Sequence, residues 1–367
     1  MAQRRWRVGT VGLRGIVKYH TRAFLDDGRA EIVACCDIQP DVLAQYAAEF
    51  NVPRAYRDFE TMLAQERLDI VVIATAELLH APMTIQAAAH RPKAILCEKP
   101  MAMNLAEADA MLAACEENGV CLIIGHQRRY KPQYARAKEL LASGAIGRLE
   151  SIQASGHRGT SLMVDGTHTV DLIRFFADDA AVEWVIGQVD IRRAEIGHWR
   201  HANEDASLAL FKFTNGVRAF LTTGGEPGTG DREALGAATN GIDEQAAFHY
   251  HRILLHGSHG VIDIRGDRPA GGQPLLSIRR GGEIEGIPVD HHGWHHGRSP
   301  QSELIDVLEQ GGTHPLDGRS ARATLEILMA IFESARLGGI VSLPLNNPAN
   351  PLEQMLTAQG RPFLATG

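Results

Sequence analysis

Five short apolar runs punctuate the first third of the chain: Arg7–Gly12, Glu31–Asp37, Asp69–Thr75, Ala94–Cys97 and Val120–Gly125. The later ones are apolar nearly throughout, as a parallel strand covered on both faces requires. Parallel neighbours need a crossover connection, and helical spacing fills the intervals. Ile16, Tyr19, His20, Ala23 and Phe24 mark one such helix, and Asn104-Leu105-Ala106-Glu107 opens another with a capping-box spacing that Gly119 closes. The pattern predicts a doubly wound α/β domain over residues 1–125.

After residue 125 the pattern changes. A helix is predicted over Pro132–Leu141, followed by strands at Leu149–Ala154, Glu183–Asp190, Ser207–Phe213, Val217–Thr222 and Arg252–His256. Asn215-Gly216 between two of these is a hairpin signal. Ser299-Pro300 starts a late helix, and Arg319–Leu337 carries a core stripe of Leu325, Leu328, Met329 and Phe332. Residues 126–367 therefore read as an α+β domain, mostly antiparallel, with helices on one face. Glu226–Gln245, rich in Gly, Asp and Ala, reads as a long loop with the makings of a lid.

In a parallel sheet, ligands bind in the crevice outside the carboxyl ends of the strands. The polar residues at those ends are the candidate site. Gly12-Leu13-Arg14-Gly15-Ile16 joins the first strand to the first helix, where backbone amides and the helix dipole can receive a pyrophosphate. Read as Gly-x-Gly-x-x-Gly, the turn has Arg14 and Val17 in place of the second and third glycines. Asp37 ends the second strand, 25 positions past Gly12, near the spacing of the acid that holds the ribose hydroxyls of NAD. A carboxylate there repels a 2′-phosphate, which favours NAD over NADP, and Arg14 tempers that preference. Cys97-Glu98-Lys99-Pro100 delivers a charged pair to the end of another strand.

Composition narrows the partners. At 367 residues the chain suits two domains, and a net charge of -7 gives no reason to expect nucleic acid or an anionic membrane. No run approaches the roughly 20 apolar residues of a membrane span. The five cysteines show no Cys-x-x-Cys pair, which fits reduced thiols of a cytoplasmic protein, and the basic N-terminus lacks an apolar core for export. His291-His292-Gly293-Trp294-His295-His296 invites a metal reading, but its order lacks a helical i, i+4 spacing anchored by an acid, and it carries no cysteine. A solvated loop is expected there, and no metal.

Together these residues resemble the glucose–fructose oxidoreductase / inositol dehydrogenase / MocA family. The resemblance runs from Gly12–His20 and Ala34–Asp37 through Ile73-Ala74-Thr75 with His80, Glu98-Lys99-Pro100-Met101-Ala102 and Gly125–Tyr130. It continues through Gly166-Thr167-His168 with Asp171, Glu204-Asp205, and Ser334–Pro344. It implies an N-terminal Rossmann domain, a C-terminal domain with a large open sheet used for substrate binding and oligomerisation, and homodimers or homotetramers. It also implies hydride transfer between NAD(P) and a secondary hydroxyl of a sugar or cyclic polyol. By resemblance Lys99 lies near nicotinamide and substrate, and the cofactor set is Gly12, Leu13, Arg14, Gly15, Ile16, Asp37, Thr75, His80, Glu98, Lys99 and Gln127. His168 suits the base, since an unperturbed imidazole (pKa roughly 6.5) is mostly neutral near pH 7. Family members often carry Asp four residues before this histidine; here that position is Val164 and the acid is Asp165, able to orient His168 or to cap its helix. Behind this reading stand two alternatives: a glycosidase or lyase that oxidises a sugar transiently, and a non-catalytic dinucleotide sensor.

Overall fold

The computed structural model describes residues 5–156, 161–196, 200–224, 251–267, 274–290 and 293–365. The chain forms two compact units: residues 1–127 with 298–323, and residues 128–297 with 324–367. The expected ranges, 1–125 and 126–367, thus miss a segment. Residues 298–323 return to the first unit.

That unit is built on a parallel six-stranded sheet of order β3-β2-β1-β4-β5-β6, with β1 at Trp6–Val11, β2 at Ala30–Cys36, β3 at Arg54–Tyr56, β4 at Ile70–Ile73, β5 at Ala94–Cys97 and β6 at Cys121–Ile124. Every residue of β4 and β5 is buried, which is why those segments are apolar without alternation. Helices α1 (Val17–Asp27), α2 (Pro40–Glu49), α3 (Phe59–Gln65), α4 (His80–Ala89) and α5 (Leu105–Asn118) make the crossovers. The strand order reverses between β1 and β4, and this switch point opens a crevice at their carboxyl ends. Asn104 caps α5 as its spacing predicts, accepting from the Glu107 amide at 2.9 Å, while Glu107 accepts from the Met103 amide at 3.0 Å.

The second unit carries nine strands in the order β14-β13-β12-β11-β7-β10-β9-β8-β15. They are β7 (Leu149–Ser155), β8 (Val182–Asp190), β9 (Ala206–Phe213), β10 (Arg218–Gly224), β11 (Arg252–Gly257), β12 (Gly260–Arg265), β13 (Leu276–Arg280), β14 (Glu283–Ile287) and β15 (Val341–Ser342). All neighbours pair antiparallel except β7 with β10. Helices α6 (Pro132–Ala142) and α7 (Thr167–Phe176) belong to this unit. Alternation divides β9 and β10 into a buried set, Ala209, Phe211, Phe213, Ala219 and Leu221, and an outward set. Ile186, Leu210 and Phe220 are cross-strand partners in one row of the outward set, and all three are exposed. Asn215-Gly216 makes the predicted hairpin turn, Gly216 adopting φ 89 and donating to the Phe213 carbonyl at 2.9 Å. The long loop expected at Glu226–Gln245 lies outside the described residues, as do His291 and His292. Among the described residues no helix is long and apolar enough to cross a membrane.

Helix α8 (Pro300–Gln310) shows what brings the return segment home. Ser299 and Ser302 form a reciprocal capping box with Pro300 at the first turn. Leu304 and Ile305 are fully buried in one cluster with Val8, Phe24, Tyr46 and Val72. At its surface, the Arg29 guanidinium bonds Asp306 at 2.8 Å and Glu309 at 2.9 Å. The last long helix, α9 (Gly318–Leu337), begins in this unit and ends in the second. Leu304→Ala should cost about 2–5 kcal/mol, seen as a lower urea midpoint for the transition of the first unit; an unchanged midpoint would mean α8 is not part of that core.

Candidate functional site

The turn that follows β1 is shaped by one glycine that cannot be replaced. Gly12 adopts φ +79, and a Cβ there would lie 2.5 Å from the Ala74 carbonyl oxygen and 2.7 Å from the Thr75 nitrogen. The β1 and β4 ends therefore approach backbone to backbone, and the turn from Gly12 to Ile16 leads directly into α1. Its N-cap, Ile16, has no side-chain cap, and Arg14, Gly15 and Ile16 are exposed. Above Gly15, at φ +62, the space within 4 Å is clear. An uncapped helix terminus beneath an open glycine turn is what a phosphate needs. Val17, in place of the third glycine, is fully buried, so the helix packs on the sheet through a side chain.

Asp37 sits at the β2 end, half-buried. Its Oδ2 accepts from the Leu13 amide at 3.0 Å and its Oδ1 from the Gln39 amide at 2.9 Å. The carboxylate is thereby locked beside the glycine turn. Arg14 reaches across to the Gln39 side-chain oxygen at 2.5 Å.

Beyond β5 the constellation around Lys99 is a relay that the sequence did not display. Glu98, 4% exposed, accepts from His20 Nε2 at 2.6 Å through Oε1 and from the Lys99 amide at 3.1 Å through Oε2. The Gln301 amide nitrogen, from α8, meets His20 Nδ1 at 2.7 Å, which leaves the ring proton on Nε2 toward Glu98. Burial pushes the Glu98 carboxyl up, but His20 and the Lys99 charge outweigh it and hold the group below the ordinary carboxylate value. Gly125 makes room, since a Cβ there would stand 2.5 Å from Glu98 Oε1. Lys99 itself is half-buried, and the Lys99–Pro100 peptide is cis.

His80 and Thr75 form a second small group. His80 is buried with both ring nitrogens on carbonyl oxygens, Nδ1 on Pro100 at 2.7 Å and Nε2 on Thr75 at 3.1 Å. Burial opposes a charge there, yet Cys97 beside the ring and the Pro100 carbonyl lift the imidazole to about 9. The ring spans the backbone at the ends of β4 and β5. Gln127 is buried at the end of this unit with its side-chain oxygen unpartnered.

In the second unit, Asp165 lies in a π-turn (Leu162–Gly166) and His168 in the first turn of α7, which follows directly. The N-cap position of α7 is Gly166, which has no side chain to offer; the cap on this stretch is Ser161, whose hydroxyl accepts from the Val164 amide at 3.3 Å. His168 is 2% exposed and stacks edge-on with His251, ring centroids 5.9 Å apart at 74°. His251 in turn shares a 2.6 Å hydrogen bond with the Thr169 hydroxyl. Asp165 is half-buried in the π-turn. Asp171 is buried in an ion pair, receiving Arg129 Nε and Nη2 at 2.8 Å each, while Arg129 also holds Asp179 at 2.8 Å. Arg128 is paired with Asp267 at 3.0 Å, which also accepts from Tyr134 at 2.9 Å and sits well below the ordinary carboxylate range.

Glu204 was named in the sequence only as part of a matching dipeptide. It is fully buried against the π-turn, accepting from the Leu162 amide at 2.5 Å, with its other oxygen unpartnered. Burial, with Asp205 adding to it, lifts this carboxyl to about 8 against the pull of the backbone amides. The folded state thus keeps a proton that the unfolded chain releases near its ordinary value, so stability is full below about 4.5 and falls as pH rises toward 8. Glu204→Gln should remove that slope. Unfolding free energies from urea titrations at pH 5 to 8 should fall for the native chain relative to the variant, by a few kcal/mol at most; parallel curves would contradict a protonated Glu204.

Comparison with known proteins agrees with this geometry. Residues 6–126 match the model of an oxidoreductase family with an NAD-binding Rossmann fold. The 1-carboxy-3-chloro-3,4-dihydroxycyclohexa-1,5-diene dehydrogenase of Comamonas testosteroni is 31% identical over 386 residues, covering 90% of this chain and 95% of the relative. The myo-inositol 2-dehydrogenase of Thermotoga maritima is 26% identical over 70% of this chain and 74% of its own. A levoglucosan dehydrogenase solved with NADH and levoglucosan has the same fold, with a TM-score of 0.75 at 20% identity over 93% of this chain and all of that one. The chain thus belongs to the glucose–fructose oxidoreductase / inositol dehydrogenase / MocA family of NAD-dependent oxidoreductases.

Proposed function

We propose that this chain oxidises a secondary hydroxyl on the ring of a sugar or cyclic polyol. The observation that carries the reading is Lys99, placed just past β5 beside an ionised, buried Glu98 and next to a turn shaped for a dinucleotide. Support for the substrate class comes from the relatives, which are named for a dihydroxycyclohexadiene and an inositol.

NAD, when bound, supplies the hydride acceptor. Gly12, Leu13, Arg14, Gly15 and Ile16 would hold its phosphates, Asp37 its ribose hydroxyls, and Thr75, His80, Glu98 and Gln127 would shape the ground about its reacting end. The Asp37 carboxylate favours NAD, and Arg14, held at Gln39, is the group that would tolerate NADP. Oxidation of an alcohol needs a base for the hydroxyl proton, and His168 takes that role, with Asp165 orienting it. The Lys99 ammonium stabilises the developing alkoxide. The five cysteines are unpaired thiols, which supports a place in the cytoplasm.

The exposed row Ile186–Leu210–Phe220 supports a homodimer or homotetramer joined through the outward face of the nine-stranded sheet. Leu210→Glu with Phe220→Arg should then give monomers by light scattering after size exclusion. An unchanged oligomer would place the interface elsewhere.

A screen of NAD reduction over inositols, pyranoses and ring diols should find growth of nicotinamide absorbance on at least one compound. Lys99→Ala should lower kcat on it by about a hundredfold or more. Undiminished turnover in that variant would remove Lys99 from the chemistry, and absence of dinucleotide binding would remove the function. Product formed with tightly held NAD and no net reduction would favour transient oxidation followed by elimination or hydrolysis.

A further inference from the structure

The histidines after Trp294 meet a carboxylate that the fold brings from 156 positions away. Glu139 stands on α6. His295 Nε2 lies 2.7 Å from Glu139 Oε1, and His296 Nε2 lies 3.4 Å from the same oxygen. One donor atom from each of the three side chains falls within 4.8 Å of the others. Adjacent residues ordinarily send their side chains apart. Here His296 adopts φ 51, and both imidazoles reach the same carboxylate with ring centroids 4.0 Å apart.

Two imidazole nitrogens and one carboxylate oxygen are the donor set that many zinc sites use, with a fourth position left to water. Ligands about 2.0–2.1 Å from a tetrahedral ion stand roughly 3.3 Å from one another. The His296–Glu139 separation already meets that, and His295 has to withdraw by about half an ångström. The side chains have room to do so: His295 is 19% exposed, Glu139 40% and His296 74%, so an ion can enter from solvent. Arg136 holds the other carboxylate oxygen at 2.7 Å and fixes its orientation. In the absence of an ion the same contacts serve as hydrogen bonds from two imidazole N–H groups to one acceptor, and any test has to separate these two uses.

We propose that Glu139, His295 and His296 form a binding site for a divalent transition-metal ion of the zinc class, clasping the turn at 295–297 to α6. None of the three is in the proposed catalytic set, so the site stands or falls apart from the redox reading.

The test uses the full chain without added histidines, titrated with Zn2+ by calorimetry and with Co2+ by visible absorption. Co2+ held by nitrogen and oxygen ligands in low symmetry shows intense d–d bands that the hydrated ion lacks. One ion per chain is expected, with those bands, and a thermal midpoint that rises with added Zn2+. Glu139→Gln preserves shape while removing the charge, and it should weaken binding at least about tenfold. His295→Ala with His296→Ala should abolish both the Co2+ bands and the thermal shift. His90→Ala, on the surface pair with Glu60 at 3.1 Å, should change nothing. The proposal is overturned by a hydrated-ion Co2+ spectrum in the native chain, by native affinity in the Glu139 or double histidine variants, or by loss of binding in His90→Ala.

Discussion

A single buried negative charge organises the first unit's chemistry. Glu98 is almost wholly removed from water, where an unpaired carboxylate would be several kcal/mol unstable and would protonate instead. It stays ionised because His20 donates to one oxygen and the Lys99 amide to the other, with the lysine's own charge nearby. Each partner comes from a different element: His20 from α1, directly after the glycine turn, and Gln301, which fixes the His20 tautomer, from α8. The helix that leads out of the glycine turn is therefore tied to the loop that carries the proposed catalytic lysine. Displacing any member would leave a buried donor or acceptor unmet, a cost of about 1–3 kcal/mol or more for a charged one.

The second unit solves the placement of His168 differently. Its α7 is secured beneath by a fully charged cluster, Arg129 with Asp171 and Asp179, to which Arg174 adds a contact with Asp179 at 3.3 Å. Buried ion pairs contribute little net stability, but breaking one is costly, so such a cluster fixes geometry more than it adds free energy. The π-turn before α7 is, by contrast, mostly apolar, with Leu162, Met163 and Val164 buried and Glu204, lifted to about 8, against the Leu162 amide.

How much of this was legible in the chain depended on the range of the interaction. The parallel sheet was legible because full burial of both faces writes itself into Ile70–Ile73 and Ala94–Cys97 as unbroken apolar runs. Asp37 was legible because a strand end and a glycine turn fix its spacing. Edge strand β14 was not, since Glu283–Ile287 is largely exposed. Helix α8 was read as a helix but sent to the wrong unit: an amphipathic stripe with Leu304 and Ile305 says that a face is buried, not against what. Gln301 and Glu204 share that limit. A buried polar residue acquires its meaning from partners hundreds or tens of positions away, and nothing local marks it. Glu139 with His295 and His296 is the same case at the surface.

The elements that carry the two proposed catalytic groups respond differently to pH. Around Lys99 the charges are fixed: Glu98 is held ionised and His80 is lifted to about 9, so neither changes state across the neutral range. Beside the π-turn before His168, Glu204 near 8 is neutral at pH 7 and gains a charge only as the solution becomes alkaline. A lysine meant to stabilise an alkoxide needs an unchanging field, because transition-state stabilisation comes from charges that are in place beforehand. A base has to accept and release a proton in each cycle, so its position has to hold while its charge changes. Glu204 becoming charged would place an anion against the π-turn that carries Asp165, which ties the alkaline limit of that unit's stability to the backbone that positions His168.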